Sequence, residues 1–347
     1  MRCFPLLVAL AALAGCGSAG PRTDVPPDSV ILGVNYIGVS VSDLDRAEDY
    51  YSSSVATETV DEDSLAPTAF AGLDTGELSP AKSRLIRSAN AQLRLMQFDQ
   101  RSPAATRSRA VPVYGPGIAH VCFQVAQQTN AYARILAAGA RPIGAPELVQ
   151  LNEKNPVHYG YVVDPEGIIT EIEEVDVAKL DLPQPPRNTH RIRHVSLATP
   201  DLGRLIEFYS AFLGGQEARH VGGWWPVSGE KLDMVSGESD AKLEMAWFQV
   251  RNLELEIFQY HSHNTQLRER SRPIDAPGYN MIMFDVSDIA AASKRLTDGG
   301  GVLVGAPRRM DGGVTQFGRD PDGNLLGLQQ VDPGTTYSSR NFANNGL

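Results

Sequence analysis

Cysteine is scarce in this chain, with three in 347 residues. Cys3 and Cys16 fall in MRCFPLLVALAALAGCG, a short apolar run behind Arg2 that reads as a targeting segment and is set aside from the fold. Only Cys122 remains in the folded part, so no intramolecular disulfide can form and stability must come from a packed core. Long apolar runs are lacking too. Phe4 to Ala14 is too brief for a membrane-spanning helix, which needs about 20 apolar residues. Basic clusters are absent, and 31 Lys and Arg against 41 Asp and Glu give a net charge of -10, which argues against a nucleic-acid partner. The glycine runs at 299–301 and 311–313 have no following Lys-Ser/Thr, so they read as turns and not as phosphate cradles. What the chain does have is 42% apolar residues and enough length for two domains of ordinary size.

Four segments open alike: YIGVSVSDLDRAEDYY from Tyr36, HVCFQVAQQTNAYARILAAGA from His120, HVSLATPDLGRLIEFYSAFLGG from His194 and MIMFDVSDIAAASKRLTDGGG from Met281. Each is an alternating strand, a helix-start signal and a helical pattern, recurring at about 80 residues, which leaves room for three more strands. In the third, Thr199-Pro200-Asp201 predicts an N-cap, a proline at the first helical position and an acid in the first turn. The second and fourth segments close through Asp-Pro-(Glu/Asp)-Gly turns, in VVDPEGIITEIEEV and GRDPDGNLLGLQQV. The first and third share DLDRAEDYY and DLGRLIEFY and close with AQLRLMQF and LELEIFQY. The alternation marks a duplicated two-module unit.

On these openings and turns, residues 31 to 332 resemble the vicinal oxygen chelate superfamily, the group of glyoxalases, bleomycin-resistance proteins and extradiol dioxygenases. The resemblance implies an α+β fold of four βαβββ modules, paired into two cups of eight-stranded mixed sheet with flanking helices. The expected organisation is a first domain at 31–178 (modules 31–110 and 115–178) and a second at 191–332 (modules 191–265 and 277–332). The Pro-rich segment 179–190 links them, and 333–347 reads as a disordered tail. At the other end, Leu13-Ala14-Gly15-Cys16 resembles the lipobox of bacterial lipoprotein signal peptides. That implies a signal peptide over 1–16 that ends in the lipobox Cys16, with Cys16 lipidated as the first residue of the mature protein, a flexible tether at 17–30 and an exported, lipid-anchored protein, periplasmic in a Gram-negative cell.

In the superfamily, metal ligands come from the first residue of the opening strand and one residue of the closing strand. Carried over, the first module offers Tyr36 and Arg94, the second His120 and Glu171, the third His194 and Glu256, the fourth Met281 and Gly327. Period-two alternation puts Val121, Phe123 and Val125 on the helix side, and His120, Cys122 and Gln124 in the cup. It likewise puts His194, Ser196 and Ala198, and Glu254, Glu256 and Phe258, in the cup. Pairing of neighbouring modules gives two half-sites of one imidazole and one carboxylate. Pairing of the second with the third gives one complete site. Sequence leaves both open.

A two-His, two-Glu site implies one divalent ion (Ni, Co, Zn, Mn or Fe) with open coordination positions. The expected activity is that of a glyoxalase-like lyase, isomerase or epimerase of a small oxygenated molecule, stabilising an enediolate or enolate while Glu171 moves the proton and Glu256 stays a steadier ligand. One alternative is a non-catalytic protein that sequesters a small molecule. Another is an extradiol-dioxygenase-like Fe(II) enzyme, against which the fourth ligand counts. Trp224 or Trp225 and His158 are candidates for the pocket wall, whereas His261 and His263 read as a solvated turn.

Overall fold

The computed structural model describes residues 29–73, 78–179, 190–222 and 225–342. Cys16, most of the tether, most of the linker and Trp224 lie outside these. Each repeat is a βαβββ module. The opening strands are Ile31–Ser40, Gly117–Ala126, His190–Ala198 and Gly278–Val286, each followed by a helix: Leu44–Val55, Ala131–Ala137, Leu202–Phe212 and Ile289–Asp298. The closing strands are Gln92–Phe98, Ile169–Val175, Leu253–Tyr260 and Leu325–Val331. Aspartates cap three of the helices: Asp43, Asp201 and Asp288 each accept a hydrogen bond from a backbone N–H of the first turn. The cap at the third helix is therefore Asp201 and not Thr199, whose hydroxyl instead accepts from the Asp201 N–H, holding Pro200 just outside the helix.

The modules pair across the halves of the chain. One sheet joins the first and fourth modules and the other joins the second and third. At the centre of each, two opening strands run antiparallel, and each is flanked by its own closing strand in parallel. The segments 31–178 and 191–332 are thus not two separate cups. All four opening strands carry the same alternating pattern and the same unpaired edge, so local pattern specifies a module without specifying its partner. Chain neighbours meet instead through their helices: the first helix packs on the second and the third on the fourth. Arg46 at the start of the first helix bonds Glu166 in the second module's Asp-Pro-Glu-Gly turn, 2.8 Å from Nε. Arg204 does the same with Asp322 of the fourth module, at 2.6 Å.

Three apolar clusters follow from this layout. The largest unites the helix-facing residues of both sheets, such as Val121, Phe123, Val195, Leu255 and Phe284, with all four helices. The other two fill the cups, one around Tyr161, Trp247 and Phe258, the other around Tyr36, Phe70, Met283 and Phe317.

The expectation of a disordered tail fails over residues 333–342. Tyr337, Ser339 and Phe342 are buried, Ser339 N–H donates to Asn35 Oδ1 at 2.8 Å, and Ser338 Oγ reaches Asp285 at 2.9 Å. A short polar stretch is ordered here because folded partners satisfy its backbone and two aromatics are covered.

Candidate metal centre

A β-bulge shapes each cup. Across the inner pair of opening strands, Ile118 faces Leu197 while His120 faces Ser196, so Ala119 is an extra residue. Cys122 faces His194 while Phe123 faces Ile192, so Arg193 is extra on the other strand. Ile192 and Val195 both lie in the helix-side core, which leaves Arg193 and His194 together on the cup side. The outer sheet repeats this with Asn35 and Asn280.

His120, Glu171, His194 and Glu256 converge at the floor of the inner cup, all buried, with one donor atom of each within 4.8 Å of the others. His194 Nε2 lies 2.8 Å from Glu171 Oε2 and 3.3 Å from Glu256 Oε2. His120 Nε2 lies 3.3 and 3.4 Å from the same two oxygens. Ser196 Oγ, 2.8 Å from His120 Nε2, also donates to Glu256. His120 is wedged between Tyr161, edge-on at 4.9 Å between ring centroids, and Phe258, at 5.6 Å.

Burial would drive the His120 imidazole to lose its proton, but the hydrogen bonds and charges of Glu171 and Glu256 win and lift its pKa to about 9. For Glu171 and Glu256, burial pulls upward and the imidazoles pull harder downward, so both carboxyls stay well ionised. This donor set fits a divalent ion. Separations of 2.8 to 3.4 Å match the edge of an octahedron with bonds of about 2.1 Å, roughly 3 Å. Among the described residues the buried Nδ1 atoms of both histidines have no hydrogen-bond partner, so the polar contacts that orient the rings are those of Nε2. The cluster is therefore able to hold a metal ion.

Above it opens a void of about 60 Å³ walled largely by apolar and aromatic side chains, among them Tyr159, Tyr161, Leu232, Met245, Trp247 and Phe258. Trp225 is not among them; its side chain is 82% exposed. His158 lines a separate surface hollow with Gln150 and Lys154, because its neighbour Tyr159 takes the cup-facing position of that strand. His261 and His263 sit at the surface, hydrogen-bonded to Glu244 and Glu238. Sequence reading missed Trp247, Tyr161 and Arg193. Alternation in KLEMAWFQV carried a signal for the first, since Leu243, Met245 and Trp247 share the face of Tyr260, Phe258 and Glu256 across the ladder.

Paired βαβββ modules around a buried two-His, two-carboxylate cluster define a protein of the glyoxalase-like fold. The sequence pattern of the Glyoxalase/Bleomycin resistance protein/Dioxygenase superfamily matches residues 33–172 and 191–328, and the chain belongs to that superfamily. No curated protein matches the chain at a significant level. Among solved structures, glyoxalase I from Zea mays is similar at 17% identity, over 86% of this chain and 92% of that one, with a TM-score of 0.56. A putative dioxygenase from Bacillus subtilis subsp. subtilis is similar at 10% identity, over 91% and 89%, with a TM-score of 0.56. These likenesses establish the fold.

Proposed function

We propose that the inner cup is the active site of a metal-dependent lyase, isomerase or epimerase acting on a small oxygenated molecule. The convergence of His120, Glu171, His194 and Glu256 from two different modules carries this reading. In the metal-free cup the imidazoles offset the mutual repulsion and desolvation of the two buried carboxylates, and a divalent ion would take over that role with a larger charge. When bound, such an ion supplies Lewis-acid stabilisation of negative charge developing on a substrate oxygen.

The chain's own residues divide the remaining work. Glu256 has a hydroxyl partner in Ser196 that persists when the imidazoles turn to the ion, which suits a steady ligand. Among the described residues Glu171 is held only by His120 and His194. Once those rings are engaged, its carboxylate is released to take a proton from carbon and return it. The apolar walls exclude water from that exchange. The exported, lipid-anchored location expected from Cys16 belongs to this proposal and rests on sequence alone.

The aromatic walls also suit a protein that sequesters its ligand without turnover. Elemental analysis of the purified protein and of His194→Ala separates the readings. About one ion per chain, lost in the variant, supports the metal centre. No bound ion after purification with Ni, Co, Mn, Fe or Zn supplied would sink it in favour of metal-free binding.

A further inference from the structure

We infer that the inner cup selects a substrate with an apolar, ring-sized body and discriminates against one with an ionic tail. This rests on the reading of the cup as the substrate site. Two arginines line the void beside the donor cluster, Arg193 and Arg219, and each is paired with a carboxylate. Arg193, turned into the cup by its bulge, bonds Glu173 and lies 3.3 Å from Glu254 through Nε. Glu254 is also 3.4 Å from Arg219, whose guanidinium carbon sits 4.3 Å from the centroid of the Trp247 ring. Both guanidiniums that line the void thus already have a carboxylate partner, and a phosphate, a peptide terminus or a second carboxylate would have to compete with Glu173 or Glu254 for them. An ionic tail would have to break one of these pairs and leave its partner uncompensated in a half-buried setting.

The rest of the wall offers area instead. Trp247 is fixed in place by the overlying guanidinium, and Tyr159, Tyr161, Leu232, Met245 and Phe258 complete an apolar shell above the donor cluster. Aromatic rings, Tyr159, Tyr161, Trp247, Phe258 and Tyr260, make up much of the lining of this void, which suits a flat apolar body packed among them. A body that fills it gains from every apolar contact, and a ring-sized group buried there is worth about tenfold or more in affinity.

Three 2-hydroxy acids test this, because lactate, malate and 3-phenyllactate share one pair of adjacent oxygens and differ only in the tail. Their dissociation constants are measured by calorimetry on the full protein, Ni(II)-loaded and chelator-treated. The expected result is 3-phenyllactate at least tenfold tighter than lactate, with malate no tighter than lactate. Trp247→Ala should remove most of the phenyl preference and Trp247→Phe should keep most of it, with circular dichroism confirming the fold of each. Malate binding tightest, three equal affinities, or no binding of any of the three would overturn the inference. A phenyl preference that survives in chelator-treated protein, with no gain on adding metal, upholds the inference while removing the metal from the proposed function. Metal-enhanced binding of all three without a preference does the reverse.

Discussion

The two cups share one backbone plan and differ in what stands at four equivalent positions. In the inner cup these are His120, Glu171, His194 and Glu256. In the outer cup they are Tyr36, Arg94, Met281 and Gly327, and the register confirms the equivalence. Cys122 lies opposite Glu171 and Ser196 opposite Glu256, as Gly38 lies opposite Arg94 and Met283 opposite Gly327. The outer cup closes on itself. Arg94 is wholly buried against Asp311 at 2.5 Å, Tyr36 Oη donates to the same carboxylate at 2.6 Å, and the Tyr337 ring from the tail lies over the guanidinium. Met283 occupies the space at Gly327, where an added Cβ would meet its sulfur at 2.3 Å. A cup of this fold needs contents. One is filled by its own side chains and satisfies its charges internally, and the other holds an acid–base cluster beneath an open void.

Substitutions that break this contrast come first in size. Glu171→Gln keeps the shape of the inner cup and removes the base we propose for it, so turnover should fall by about 10² to 10⁴ while the fold persists. Retention of turnover within a few-fold, measured once a substrate is known, would transfer the proton role to another group. In the outer cup the expected loss is in stability. Arg94→Ala leaves Asp311 buried without its cation and should cost about 3–5 kcal/mol, read as a lower thermal midpoint with metal content of the inner cup retained in the folded fraction. Equal stability of this variant would mean that the outer cup is wetter than its packing implies.

Much of the inner site was legible because strand alternation is local. Val121, Phe123 and Val125 go to the helices and His120 to the cup, as the period of two requires. The pairing of second with third modules was not legible, since strand partners are chosen by contacts far apart in sequence. The bulge at Arg193 escaped for the same reason: an extra residue exists only relative to a partner strand. Tyr337 and Phe342 escaped because two aromatics in a polar tail signal nothing until Asn35 and Asp285 are in place to receive the intervening backbone and hydroxyls.

Titration sharpens the contrast further. The Arg94 guanidinium, opposed by burial but supported by Asp311 together with Tyr36 and Tyr337, stays charged at every accessible pH. The inner cup does change. In the metal-free protein His120 is protonated up to about pH 9, above its ordinary 6.5, and that proton must leave before the imidazole can take an ion. Metal affinity should therefore rise about tenfold per pH unit from 7 until it levels near 9. The stability that His120 gives the metal-free fold is fully present below 6.5 and is lost as pH rises through 9, so metal should raise the thermal midpoint by a growing margin over that range. A pH-independent margin would show that the cluster binds its ion without displacing the proton.

The smallest effect tests Ser196, which the alternation placed in the cup without assigning it work. Its hydroxyl bridges His120 and Glu256, so it orients one ligand from each module across the join between the two. Ser196→Ala removes that brace and leaves all four donors, and metal affinity should fall by about 10- to 100-fold with one ion still bound per chain at saturation. Gly38, which holds the same place in the outer cup, is packed against Met281 and Met96, with no ligand set for a side chain to brace. Gly38→Ala should therefore leave metal affinity as it was, through whatever stability the crowding costs. A loss of affinity in Gly38→Ala matching that in Ser196→Ala would mean that the two cups are coupled through the shared helix core, and that the outer one helps to set the geometry of the inner.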